Sequence, residues 1–211
     1  SFPGHEWRGV DLFAAGVPCP PFSIAGKQLG PNDERDMFPA ALRLIEEIKP
    51  RAILLENVPG FGAARFSEYR RNLFGALSAL GYDGDGRVLE AVDFGVPQLR
   101  PRFVLVAMRR ADFRRFEWPN STAGIRTVGP TIRDMMAERD WPGVSDWVRK
   151  ADRIAPTIVG GSKKHGGPDL GPTRAKRQWK ELGVDGMGIA VAPPDADFEP
   201  DGMPRLTVRM V

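Results

Sequence analysis

A thiol, a carboxyl and two guanidinium groups stand at three places where the chain leaves or enters an apolar run. Cys19, the only cysteine, lies in Gly16-Val17-Pro18-Cys19-Pro20-Pro21-Phe22-Ser23, directly after the run Val10 to Ala15. Proline fixes φ, lacks an N–H and drives the preceding residue toward extended geometry, so Cys19 is excluded from a helix. A stiff loop at the carboxyl end of a strand is expected, where open α/β sheets place reacting groups. A free cysteine is by default a small buried hydrophobe. Held between prolines, it reads better as a nucleophile, since sulfur both attacks and leaves readily near neutral pH. Glu56 ends the run Pro50 to Leu55 and precedes Asn57-Val58-Pro59-Gly60. A carboxyl there is either an acid at the end of a buried strand or a cap for the next turn. Arg100 and Arg102 belong to Gly95-Val96-Pro97-Gln98-Leu99-Arg100-Pro101-Arg102, just before the run Phe103 to Met108. The plain alternative for both is a salt bridge at a strand start.

The elements that must position these groups are legible in the first half. Residues 36–49 carry Met37, Ala41, Leu44, Ile45 and Ile48 at helical spacing, with Pro39 tolerated in the first turn and Pro50 as the stop. A second helix is expected over 66–80, with Phe66, Tyr69, Leu73, Leu77 and Leu80 on one face and Gly81 ending it. Strands are expected near 87–92 and 103–108. The alternation predicts a largely parallel sheet with covering helices. After Met108 periodicity weakens, apart from a short helix near 131–139 and a strand-like island over 155–161. Residues 193–204, rich in Pro and Asp, read as a linker. The expected organisation is a partial catalytic domain over 1–109, a less regular region over 110–203, and a return of 204–211 to the first domain.

At 211 residues the chain can bury a core, and its 42% hydrophobic and 27% charged composition is that of an ordinary globular protein. No apolar stretch reaches membrane-spanning length and no secretory signal opens it, so no membrane partner is expected. One cysteine rules out an internal disulfide framework and fits a reducing cytoplasm; with only His5 and His165, no metal site is expected. The net charge of +3 is unevenly spread: −3 over 1–99, +10 over 100–180 and −4 over 181–211. A basic stretch is commonly a solvated face. Here it follows the reactive stations and is interleaved with Trp118, Trp141, Trp147 and Trp179, so a polyanion is the expected partner.

Taken in order and spacing, Pro18-Cys19 with Phe22-Ser23, Glu56-Asn57-Val58 and Gln98-x-Arg100-x-Arg102 resemble the motifs of the DNA (cytosine-5)-methyltransferase family, bacterial type. The resemblance implies an α/β fold: a partial Rossmann-like, S-adenosylmethionine-dependent methyltransferase sheet with a smaller irregular target-recognition domain. It implies transfer of a methyl group from S-adenosylmethionine to C5 of a flipped cytosine. Cys19 would add to C6, which breaks aromaticity and leaves C5 enamine-like. Glu56 would donate to N3, which needs a desolvated carboxyl that still holds its proton. Arg102 would contact O2, so Glu56 and Arg102 are expected to behave as a coupled pair, while Arg100 organises the site or touches phosphate. Ser23 and Thr157 would hold phosphates, and Asn57, Gln98, Lys163 and Lys164 are further DNA-side residues. In Thr157 the alternative is an ordinary β-former. Glycines 160, 161, 166 and 167 around Lys163-Lys164-His165 suit close approach to a backbone. Cofactor contacts carry over only to Pro18 and Met37. Double-stranded DNA is the implied partner, with a cognate restriction endonuclease in the same system and a cytoplasmic, nucleoid-associated location in a bacterium.

The chain departs from the family in places. The family's Gly-rich S-adenosylmethionine turn lies before the Pro-Cys loop, and here only 18 residues precede Cys19. Asp11 to Gly16 reads as the strand before the nucleophile. Arg205-Leu206-Thr207-Val208-Arg209 resembles the start of a late family motif. Pro20 stands where Gln is usual, and Met210 where Glu usually follows Arg209. A central piece of such an enzyme is therefore expected, poor at binding S-adenosylmethionine by itself. The alternative is a catalytically incomplete DNA-binding fragment or half of a split methyltransferase. A thiol enzyme of another class, pairing Cys19 with His5 or His165, has no motif behind its histidines.

Overall fold

The computed structural model describes residues 2–18, 36–121, 124–159 and 168–211, which fall into two compact units. Unit 1 comprises residues up to Leu89 together with Pro101–Asn120; unit 2 comprises Glu90–Arg100 and Ser121–Val211.

Unit 1 is built on a four-stranded sheet in the order β1-β2-β5-β3. Its strands are β1 (Leu12–Gly16), β2 (Ala52–Asn57), β3 (Tyr82–Glu90) and β5 (Pro101–Arg109). The β1–β2 pair is parallel, as strand–helix–strand alternation requires, and its crossover contains α1 (Phe38–Ile48). The β2–β5 pair is antiparallel. The sheet is therefore mixed, which corrects the expectation of a largely parallel one: the chain enters β5 from the residue 91–100 excursion and not from a helical crossover. Along β2, burial alternates with the pleat. Ile53, Leu55 and Asn57 are buried, while Ala52, Leu54 and Glu56 look to the other face.

The core lies on the Ile53 face, where Leu105 and Ala107 of β5 meet Phe38 and Ile45 of α1 and Leu73 and Leu77 of α2 (Ser67–Ala79). Both helices match their sequence signals within a residue or two. Lys49 takes a left-handed φ of 55° after α1 and Gly81 a φ of 89° after α2. Gly84 has a different duty: a Cβ there would sit 2.8 Å from the Ala107 Cβ and 2.8 Å from the Val106 carbonyl, so β3 approaches β5 only as glycine. The opposite sheet face leaves Leu12 at 52% and Leu54 at 37% exposure.

Unit 2 is more regular than its sequence suggests. It holds α4 (Val128–Ala137), α5 (Val144–Lys150) and α6 (Thr173–Glu181), after the short α3 (Arg110–Phe113) at the end of unit 1's β5. A two-stranded parallel ladder joins β4 (Gln98–Leu99) to β6 (Ala155–Pro156). The second core contains Ile132, Met136, Trp141, Trp147, Trp179 and Leu206, among others. Three of the four tryptophans read as companions of a basic surface are thus core residues, 2–4% exposed. Trp118, in unit 1, lies under the Arg87 guanidinium at 4.4 Å and donates to Asp85 at 2.7 Å.

The 193–204 stretch is not a free linker. Phe198 packs edge-on to Trp141, and the Trp141 indole donates to the Glu199 carbonyl at 3.1 Å. Residues 204–211 also stay in unit 2, with Leu206 buried and Ala190 bridged to Thr207, in place of the expected return to the first domain.

Asp185 ties that last segment down. Its carboxylate accepts from Arg205 Nε at 2.7 Å and from the Met187 N–H at 2.9 Å. Burial works to raise its pKa, but the Arg205 and Met187 hydrogen bonds and the guanidinium charge outweigh it and hold the carboxyl below its ordinary value. A depressed carboxylate contributes stability above its unfolded pKa and loses it as pH falls through the folded one. Acid unfolding of the wild type should therefore steepen below the ordinary aspartate range, and Asp185→Asn should flatten that part of a stability–pH curve measured by denaturant titration.

Candidate active site

Glu56, Arg102 and the end of β1 meet at one end of the unit 1 sheet because of register. The parallel β1–β2 pairing sets Gly16 opposite Glu56, and the Val17 N–H donates to the Glu56 carbonyl at 3.2 Å. The antiparallel β2–β5 pairing sets Glu56 opposite Val104 and Asn57 opposite Phe103, with Arg102 one residue beyond. The carboxyl end of β1, the carboxyl end of β2 and the amino end of β5 thus share an edge. Arg102 Nε lies 2.5 Å from Glu56 Oε1, and Arg102 Nη1 also donates to the Pro101 carbonyl at 2.8 Å.

The Glu56 side chain is 45% exposed and that of Arg102 25%. The expected desolvated carboxyl is not what stands here: Glu56 follows buried residues in sequence, but the pleat turns it to the face away from the core. A substrate covering this edge would have to supply the missing exclusion of water.

Asn57 is the buried polar anchor of the edge, 3% exposed. Its Nδ2 donates to the Val17 carbonyl at 3.3 Å and its Oδ1 accepts from the Val58 N–H at 2.8 Å. One side chain therefore fixes both the point where the chain leaves β1 for Pro18 and the turn after β2. Its location is positional and internal, where the sequence reading had set it among DNA-side residues. Removing the amide leaves a buried carbonyl and N–H without partners, which costs about 1–3 kcal/mol. Asn57→Ala should lower the unfolding free energy by that amount in a urea titration. The turn beyond is held by Arg70, whose Nη1 donates to the carbonyls of Phe61 at 2.5 Å and Ala63 at 2.9 Å.

The remaining site candidates divide among three locations. Cys19, Ser23, Lys163 and Lys164 lie outside the described residues. Pro18 is exposed after β1, and Met37, 45% exposed, precedes α1. These two offer apolar contact to S-adenosylmethionine; neither carries a group for its ribose hydroxyls, so they fit only part of that cofactor. Gln98, Arg100 and Thr157 belong to unit 2, where Gln98 pairs with Ala155 across the β4–β6 ladder. The Thr157 hydroxyl donates to the Leu99 carbonyl, and Arg100 Nη1 donates to the Ile158 carbonyl at 3.4 Å. The Gln98-x-Arg100-x-Arg102 run thus crosses the unit boundary, and Arg102 belongs to unit 1 with Glu56.

Sequence reading missed two features. One is the Tyr69–Asp36 hydrogen bond of 2.5 Å, which ties α2 to the start of α1; burial and the neighbouring carboxylate push the Tyr69 phenol above its ordinary pKa. The other is α6, whose signal was present in Pro172-Thr173 followed by Ala175, Trp179 and Leu182 at spacings of four and three.

Unit 1 thus combines a mixed sheet with a carboxylate–guanidinium pair at the ends of β2 and β5. Residues 2–185 match the model of the C-5 cytosine-specific DNA methylase family, and the chain belongs to that family. It is 56% identical over 98% of its length to the type II methyltransferase M.NaeI of Lentzea aerocolonigenes. It is 44% identical over 99% of its length to the type II methyltransferase M.NgoMIV of Neisseria gonorrhoeae. The chain spans 50% of the former protein and 67% of the latter. Among solved structures, a putative DNA modification methyltransferase encoded within a prophage (E. coli) aligns over 93% of this chain and 75% of that one. The identity is 15% and the TM-score 0.48.

Proposed function

We propose that the chain carries the reacting residues of a DNA (cytosine-5)-methyltransferase acting on double-stranded DNA. The observation that supports this most is the 2.5 Å Arg102–Glu56 contact at the end of the strand that hydrogen-bonds to the Cys19-bearing segment. Family membership supports the same reading.

The chemistry follows from the groups. The target carbon is inaccessible in a stacked duplex, so the cytosine must first be rotated out. The Cys19 thiolate adds to C6, forming a C–S bond and pushing electron density toward N3 and O2. Glu56 meets that density with a proton at N3, and the Arg102 guanidinium holds O2 by charge-assisted hydrogen bonding. S-adenosylmethionine, when bound, supplies an electrophilic methyl group. C5, now enamine-like, would take that methyl as its bond to the donor sulfur breaks, leaving a neutral thioether; the C5 proton would then pass to solvent, N3 would return its proton to Glu56, and the Cys19 thiolate would leave, restoring aromaticity. Arg102 has two duties on this account: it orients the Glu56 carboxyl before the base arrives and binds the base afterwards. Asn57 anchors Val17, two residues before Cys19. Ser23, Thr157, Gln98, Arg100, Lys163 and Lys164 serve on the DNA side. A cognate restriction endonuclease, as the type II names of the relatives suggest, and a bacterial cytoplasmic setting at the nucleoid complete the proposal.

The test is methyl transfer from labelled S-adenosylmethionine to duplex DNA, followed by hydrolysis to nucleosides. Label on 5-methylcytosine is the expected result. Label on adenine contradicts the proposal. Salt-dependent DNA binding without transfer, even beside a polypeptide supplying the rest of a family catalytic domain, selects the incomplete-fragment reading.

A further inference from the structure

Arg70, in the first turns of α2, is a half-buried cation that forms no ion pair among the described residues. Burial works against its charge and pulls its pKa below the ordinary arginine value. Its partners are the Phe61 and Ala63 carbonyls, at 2.5 and 2.9 Å, and the ring of Phe103, whose centre lies 5.9 Å from the guanidinium carbon. These partners adjoin the reacting pair on both strands. From Phe61 the path runs through hydrogen bonds: its N–H donates to the Val58 carbonyl at 3.0 Å, and the Val58 N–H donates to Asn57 Oδ1 at 2.8 Å, next to Glu56. Phe103 follows Arg102 directly and pairs with Asn57 across the β2–β5 ladder. Its ring is confined from other sides too. A Cβ on Gly86 would lie 2.6 Å from the Phe103 Cζ and one on Gly62 3.2 Å from its Cδ2, and the Phe61 ring meets it edge-on at 5.1 Å.

We propose that Arg70 is a positioning residue for methyl transfer, bracing the ends of β2 and β5 so that the Glu56 carboxyl and the Arg102 guanidinium face one base together. The proposal rests on the methyltransferase reading argued above. Glu56 and Arg102 need such support: with side chains 45% and 25% exposed, their orientation has to come from the strand ends that carry them. A turn alone could be closed by a neutral donor at lower cost, since a half-buried cation without a counter-charge forfeits hydration. What the planar guanidinium adds is a single rigid group that grips two carbonyls and lies against an aromatic ring. The carbonyls belong to the segment after Glu56, and the ring to the residue after Arg102.

The experiment compares wild type, Arg70→Met, Arg70→Lys and Arg71→Met at a temperature where melting curves show all four folded. Arg71 is the next residue of α2 and is exposed, so its variant is the control. Arg70→Met is expected to lower kcat for methyl transfer by about 10- to 100-fold, as a small displacement of reacting groups does, with KM for duplex DNA unchanged. Arg70→Lys, which keeps the charge but loses the planar fork, should fall between. A second readout needs no turnover. In protein labelled with nitrogen-15 at arginine, the Arg102 Nε–H, assigned through Arg102→Lys, should exchange with solvent about 2- to 5-fold faster in Arg70→Met, the protection a half-exposed ion pair gives. Arg71→Met should change neither readout. Wild-type kcat in Arg70→Met, or an unaltered Arg102 exchange rate in it, overturns this inference and leaves the methyltransferase reading standing. A wild type that transfers no methyl group, even beside a polypeptide supplying the rest of a family catalytic domain, overturns that reading and this inference with it.

Discussion

Glu56→Gln should reduce methyl transfer by about 10²- to 10⁴-fold, the usual contribution of a positioned proton donor. The amide keeps the size of the side chain and its place at the end of β2, but it has no carboxyl proton to give. The loss should fall on kcat, because the duplex is held largely through other residues. Stability should move by less than about 1 kcal/mol: the Arg102–Glu56 pair is 25% and 45% exposed, and half-exposed ion pairs contribute little. A large kinetic effect with a small thermodynamic one separates a reacting carboxyl from a structural salt bridge. Should Glu56→Gln transfer methyl groups at the wild-type rate, the pair is only a strand-end salt bridge.

Trp179→Ala should have the opposite profile. Trp179 is 2% exposed, lies on α6 and packs in the second core. Truncating a buried tryptophan leaves a cavity and costs about 3–5 kcal/mol, a large share of what holds a domain of this size folded. Its indole Nε1 is buried and has no hydrogen-bond partner among the described residues. Trp179→Phe should therefore cost much less, since it gives up volume but also removes an unsatisfied donor. Denaturant unfolding of the two variants gives the comparison. An equal loss for alanine and phenylalanine would show that the indole finds a partner this geometry does not provide.

The first half of the chain was readable because its signals agree with one another. Pro39, Pro50 and the spacing of Ala41, Ile45 and Ile48 all mark α1, and Gly81 ends α2 as a left-handed residue. The Glu56–Arg102 edge was readable because Glu56 follows and Arg102 precedes an apolar run, and strand ends are where such groups gather. Sheet direction was not readable. Phe103 to Met108 looks the same whether it runs with β2 or against it, and only pairing decides.

The exposure of Glu56 was also hidden. A run of apolar residues suggests burial on both faces, whereas the pleat gives Leu54 and Glu56 to the more open side. In the second half, tryptophans interleaved with basic residues looked like part of a polyanion-binding stretch. Charge on α4, α5 and α6 masks their apolar stripes, and Trp147 and Trp179 point inward because each is the largest apolar member of a stripe. The 193–204 segment misled through composition: proline and aspartate mark irregular backbone, yet Phe198 alone is enough to seat it on Trp141.

The most direct measurement is covalent capture on a duplex whose target cytosine carries fluorine at C5, in the presence of S-adenosylmethionine. Fluorine blocks the final loss from C5, so a sulfur bonded to C6 stays bonded. Wild-type protein should give an adduct that survives denaturing electrophoresis and maps to the Cys19 peptide, and Cys19→Ser should give none. An adduct that persists in Cys19→Ser, or that maps to another residue, would contradict the assignment of Cys19, Glu56 and Arg102 to one reacting base.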